Sequence, residues 1–178
     1  LMVFSKPDIH RDQYIQQMVI TESGYGGVRP MRTKTSSETS KWLKEMIEDV
    51  ENLSAPGASH DQSRKIYRIC RMGHDPGSEF SGRCAQMLND KGIITVTYET
   101  ARHTGANRVE KENGRVQVLA SMLLHRAVGP SDEYRGLLQI EACRWARRLL
   151  NKCAYNKQQA ITGNTPESIQ LGIINEWL

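Results

Sequence analysis

The segment from Thr35 to Leu53 constrains the fold more than any other. Thr35 and Glu38 have the hydroxyl–x–x–carboxylate spacing that satisfies the first free N–H groups of a helix. Behind them, Trp42, Leu43, Met46, Ile47, Val50 and Leu53 recur at helical spacing, while Lys41, Lys44, Glu45, Glu48 and Asp49 fall outside that stripe. A helix with one apolar stripe must bury it against another element. The preceding residues supply one, because their apolar pattern is strand-like. Leu1–Phe4, Tyr14–Thr21 and Tyr25–Met31 read as strands of a meander, separated by a polar stretch with Pro7 and a Ser23-Gly24 turn. Pro30 withholds a backbone N–H, which assigns Tyr25–Met31 to a sheet edge or an early end.

The alternation continues. Ser54–Ser63 reads as a loop, Lys65–Met72 as a strand, Ser81–Asp90 as a short helix ended by Lys91-Gly92, and Ile93–Tyr98 as a β-branched strand. Glu99–Ala106 is a polar, Gly-containing connection. A long helix starts near Asn107, with Val109, Val116, Leu119, Ala120, Leu123 and Leu124 as its stripe and Gly114 as a weak point. The next helix runs from about Glu133 to Ala154. Its expected core stripe is Leu138, Ala142, Trp145, Ala146 and Leu149. Its cations Arg144, Arg147, Arg148 and Lys152 are expected to be solvated or, alternatively, to face a nucleic acid. Thr165-Pro166-Glu167 opens a last short helix, with Pro where no N–H is needed. This order predicts an α/β or α+β layer with a mixed sheet.

At 178 residues the chain is expected to form one domain, 1–178. With 25% charged and 38% hydrophobic residues it belongs with globular rather than disordered chains. No apolar run is long enough to span a membrane, so no membrane partner is expected. The net charge of +4 permits a polyanionic partner without demanding one. Cys70, Cys84, Cys143 and Cys153 have no zinc-site spacing and are expected to be reduced, mostly buried thiols.

Two stretches carry chemistry. In Gly73-His74-Asp75-Pro76-Gly77-Ser78-Glu79-Phe80, Asp75 follows a strand-like run; Glu110 lies near the start of the long helix. Two elements can thus deliver two carboxylates to one point. An oxygen-only set suits Mg²⁺ or Mn²⁺, which use one or two carboxylates together with substrate phosphates. In its helix's first turn, Glu110 would be favoured in its ionised form by the macrodipole. The competing reading makes Asp75 a turn residue and Glu110 a surface acid.

The first stretch resembles the Ser-Asp-Asn-Gly-x-Glu-Phe signature of retroviral and retrotransposon integrase cores. Val109-Glu110-x-x-Asn113 resembles the Val-Glu-x-x-Asn of that family, and Asp75 and Glu110 stand 35 positions apart, close to the family's separation. Ile20-Thr21-Glu22-Ser23-Gly24-Tyr25, Pro30 and Lys34-Thr35 with the capped helix are similar to its second and third strands and first helix. Asn164-Thr165-Pro166-Glu167 with Leu171-Gly172 is similar to the tail of copia-type cores. Arg102-His103-Thr104-Gly105-Ala106-Asn107 stands at the family's flexible loop. The resemblance covers nearly the whole chain.

It implies a ribonuclease-H-like fold with a mixed five-stranded sheet flanked by helices. It also implies a metal triad of two Asp and one Glu, Mg²⁺ (or Mn²⁺) as cofactor, and 3′-end processing and strand transfer of retroelement DNA. Asp75 and Glu110 would be catalytic metal ligands. Read from the residues, Arg102, Arg108, Lys111 and Arg115 are basic groups near that point that could contact DNA phosphates; the last three share a helix face, and the competing reading is that this face is solvated. A homo-oligomer in the nucleus or cytoplasm is expected. Pro76 departs from the family's Asn. The first Asp of the triad is expected just before Leu1, because Leu1–Pro7 resembles the segment after that Asp in many retrotransposon members. The chain would then be a fragment lacking the start of its first strand. Such a fragment is expected to bind DNA without cutting or joining it. Asp8 is the rival first acid, and Asp12 fits less well, since catalytic carboxylates need rigid elements. The alternative functions are a degenerate or domesticated core acting as a DNA-binding or protein-interaction module, and, behind that, a nuclease acting on RNA–DNA hybrids.

Overall fold

The computed structural model describes residues 2–52, 68–98, 104–129, 132–153 and 157–171. The chain begins with three strands, β1 (Met2–Val3), β2 (Tyr14–Val19) and β3 (Gly26–Met31), followed by α1 (Ser36–Glu51). Next come β4 (Arg71–His74), a 3-10 turn (Ser78–Phe80), α2 (Arg83–Asp90) and β5 (Ile94–Thr97). Four helices complete it: α3 (Thr104–Val128), α4 (Asp132–Asn151), α5 (Lys157–Thr162) and α6 (Pro166–Gln170). The Lys65–Met72 strand is displaced toward the C-terminus, and α5 was not anticipated. Residues 53–67, which include the expected Ser54–Ser63 loop, and residues 99–103 lie outside the described set.

The strands form two sheets rather than the expected single mixed sheet of five. β1-β2-β3 is an antiparallel meander, with Met2 opposite Ile15 and Tyr14 opposite Met31. β4 and β5 pair in parallel, Arg71 beside Ile94 and His74 beside Thr97. β1 spans two residues, and among the described residues it pairs with β2. Pro30 sits opposite Ile15 on β3, the outer strand of its sheet, where the missing N–H breaks no second ladder.

The meander separates two apolar layers. On one side Met2, Phe4, Ile15 and Val28 meet Val116, Ala120 and Leu124 of α3 and Ile140, Cys143 and Ala146 of α4. On the other, Leu43, Met46 and Ile47 of α1 meet Cys84 and Leu88 of α2 and Ile93. Fully burying such a side chain contributes about 1.5–3 kcal/mol, so these layers dominate the stability. Burial raises the thiol of Cys84 to about 11 and that of Cys143 to about 12. Cys70 and Cys153 are exposed, against the expectation for buried thiols.

Local signals fix the helix starts. The Thr35 hydroxyl accepts from the Glu38 N–H as expected, whereas the Glu38 carboxylate turns outward to the Arg32 and Thr33 amides, 2.9 Å from each. At α6 the box closes fully, Thr165 and Ser168 each capping the other's N–H, with Pro166 in the first turn. The α4 stripe is rotated from its expected phase. Ile140, Cys143, Ala146 and Arg147 are buried, whereas Trp145 is 52% exposed.

Candidate active site

Asp75 follows directly on the last residue of β4, and its side chain is exposed. The turn behind it is tightly braced. The His74 ring stacks on Phe80 with centroids 4.7 Å apart, and His74 Nδ1 bonds to the Asp75 carbonyl at 2.7 Å. The Phe80 amide donates to the Gly77 carbonyl at 3.1 Å. A Cβ at Gly77 would overlap the Glu79 carboxylate, so a side chain there would displace that carboxylate. Likewise, a Cβ on Gly73 would fall inside the Tyr98 ring, which lies against β4 two residues before Asp75.

Glu110 is exposed on α3, and α3 packs beside β4. The elements that carry the two acids are therefore neighbours. α3 begins at Thr104, so Glu110 lies in the second turn and no acid occupies the first. The macrodipole effect is confined to the first turn and does not act on Glu110 as expected. The expected loop likewise gives way to helix at Thr104–Asn107.

A third acid does not join them. Among the described residues no group of three or more His, Cys, Asp or Glu is placed to hold a metal ion. Asp8, the rival first acid, is buried and engaged in its own loop. Its Oδ1 accepts from the His10 amide at 2.8 Å and the Asp12 amide at 2.9 Å. Arg11, at φ 64°, closes that loop. Asp12 is held above its ordinary range by burial and by the Asp8 charge, against Arg32, 3.8 Å away. Both serve the turn between β1 and β2.

The predicted cations divide. Arg102 lies outside the described residues, and Arg108 is placed on α3 by its backbone. Lys111 is exposed. Arg115 is half-buried, and its Nη1 donates to Glu112 Oε1 at 2.8 Å. Glu112 belongs to a buried network that sequence reasoning missed. Its other oxygen accepts from Arg147 Nη1 at 2.7 Å, and the two side chains are 1% and 2% exposed. Arg147 Nη2 donates to the Gly24 carbonyl at 2.6 Å and to Asn151 Oδ1 at 2.8 Å. Asn151 in turn accepts from the Gly26 amide and donates to the Gly26 carbonyl, at 3.0 and 2.8 Å. Arg147 is thus the clamp that fixes α3, two residues from Glu110, to α4 and the β2–β3 hairpin. Arg144 is paired with Glu141, and Arg148 lies 5.1 Å from the Trp145 ring centre.

The chain matches no protein-family model and no curated protein. Its structure is similar to retroviral integrase cores. One is the HTLV-2 integrase catalytic core domain solved with magnesium in a trimeric form, at TM-score 0.62 and 18% identity over 88% of this chain and 83% of that one. The simian T-cell lymphotropic virus intasome in complex with the PP2A regulatory subunit B56 gamma gives 0.65 and 17%, over 88% of this chain and 47% of that one. The BIV integrase catalytic core gives 0.61 and 17%, over 89% and 85%. The chain has the ribonuclease-H-like α/β fold of these cores.

Proposed function

We propose that the chain is a retroelement integrase core that performs divalent-metal-dependent polynucleotidyl transfer on DNA: 3′-end processing and strand transfer. One observation carries this reading. Asp75 follows the last residue of a parallel strand, and Glu110 sits on a helix in contact with that strand, in a fold shared with integrase cores. Both carboxylates are exposed, and the donor set is all oxygen, which suits Mg²⁺ or Mn²⁺ bound with waters and substrate phosphates. Asp75 and Glu110 would hold the ion, which supplies charge neutralisation at the phosphodiester. The 74–80 turn braces the backbone at Asp75, and the Arg147 clamp fixes α3 at Glu112, two residues from Glu110. Lys111, with Arg102 and Arg108, would bind the flanking phosphates. Arg115 would share its guanidinium between Glu112 and DNA. Acting on retroelement DNA places the protein in the cytoplasm or nucleus. Self-association belongs to the same reading, and the exposed Trp145 and Leu149 on α4 offer a surface for it.

Mn²⁺ titration followed by electron paramagnetic resonance tests the acid pair. Wild-type chain with duplex DNA is expected to bind the ion at a site that Asp75→Asn or Glu110→Gln weakens at least tenfold. Unchanged affinity in both variants would sink the reading. Salt-dependent DNA affinity that survives loss of both acids would instead mark a DNA-binding core without catalysis.

A further inference from the structure

Glu79 lies four residues beyond Asp75, in the turn that braces it. Its side chain is 2% exposed, and its Oε2 has no hydrogen-bond partner among the described residues. A buried carboxylate in that position requires a cation close by. Lys34 provides one, with Nζ 3.7 Å from Glu79 Oε1. Lys34 sits in the short link between β3 and α1, and its side chain remains 48% exposed. The ammonium is therefore held from inside by Glu79 and open to solvent on its other side.

A second cation stands at the same rim. Arg83 is the exposed first residue of α2, and its Nη1 donates to the Ser37 hydroxyl at 3.3 Å. Around it the starts of α1 and α2 are laced together. Ser36 Oγ donates to the Ser81 carbonyl and accepts from the Cys84 amide. Glu38, next to Ser37 on α1, faces the Arg32 and Thr33 amides, and Glu48 and Asp90 line the same cavity as Arg83. Lys34 and Arg83 thus flank the turn that carries Asp75, each tethered by one contact and each with donors to spare. Tethering reduces the side-chain entropy lost on binding.

We propose that Lys34 and Arg83 form a phosphate-binding rim for the backbone of a DNA strand entering beside Asp75, separate from the cations of α3. Glu79 positions the Lys34 ammonium. The inference rests on the DNA-directed reading above and adds to it a second point of contact with the polyanion. Contacts of this kind carry no sequence information, so the effect is equal on any duplex.

The test is fluorescence anisotropy of a labelled DNA duplex with the whole chain across a series of KCl concentrations. Each lost phosphate contact lowers the slope of log K against log salt by about 0.9. The Lys34→Gln, Glu79→Gln pair removes the cation without stranding a buried charge, and is expected to lower the slope by about 0.9. Arg83→Gln is expected to do the same, on the order of 0.9. Arg126→Gln, an equal charge loss near the far end of α3, is expected to leave the slope unchanged. If wild type shows a salt slope that neither the Lys34 nor the Arg83 variant reduces, the rim is refuted and the DNA-directed reading stands. If wild type shows no salt-dependent affinity at all, both fall. Matching circular dichroism melts for wild type and Arg83→Gln confirm that the slopes compare folded proteins.

Discussion

At the scale of single residues, Arg147 shows how a charged side chain can belong to the core. Counted as solvated, it rotates the apparent apolar stripe of α4 toward Trp145 and Leu149. With Arg147 counted as buried, Ile140, Cys143, Arg147 and Leu150 form the inward face, at spacings of three and four. No hydrophobicity scale places an arginine there. Its burial is supported by Glu112, Asn151 and the Gly24 carbonyl, which accept from the guanidinium. Gly26 belongs to the same arrangement, because a Cβ there would meet the guanidinium at 2.7 Å. Arg147→Met is expected to cost about 3–5 kcal/mol in urea unfolding, since it leaves the Glu112 charge buried without its main partner. Adding Glu112→Leu should recover most of that loss. An Arg147→Met variant as stable as wild type would show that the clamp contributes nothing.

At the scale of elements, the helices and strands that follow local chemistry were legible. Thr35 announces α1, the alternation over Tyr14–Met31 gives the hairpin, and Thr165-Pro166 announces α6. The start of α3 was not legible, because Thr104-Gly105-Ala106-Asn107 combines a glycine with polar residues of weak helix propensity. That shift moved Glu110 into the second turn. The Glu38 carboxylate offers an element-scale prediction. Burial alone would raise its pKa, but bonds from the Thr33 hydroxyl and from the Arg32 and Thr33 amides outweigh burial and hold it below its ordinary value of 4.5. A lowered carboxylate stabilises the fold above its unfolded value and loses that contribution as pH falls through the folded value. Glu38→Gln should therefore reduce the melting temperature at pH 7. The gap from wild type should close as the pH falls below 4.5. A gap that is constant from pH 7 to acid would place the effect elsewhere.

At the scale of the whole molecule, the layered α/β architecture followed from the order of elements. The division into two sheets did not, because which strands pair is decided by tertiary context that strand propensity does not measure. The exposure of Trp145 also belongs to this scale, since a large aromatic in an apolar stripe reads as core until its neighbours are placed. Trp145→Lys is expected to change the stability of the chain by no more than roughly 0.5 kcal/mol, as for other surface positions. In sedimentation velocity the same variant should shift any dimer or higher species toward monomer. A large loss of stability, or an unchanged distribution of species, would remove α4 as the self-association surface.

Asn151 has a further consequence. Its amide meets both the N–H and the C=O of Gly26 on the outer strand of the three-stranded sheet. One side chain thus occupies the pair of backbone groups to which an incoming polypeptide would anneal. Growth of the sheet by recruiting extended segments from other molecules is stopped at that point by a plug already present in the folded chain. Asn151→Ala would therefore expose that pair of backbone groups and is expected to raise the tendency of concentrated solutions to form fibrils, read by thioflavin fluorescence.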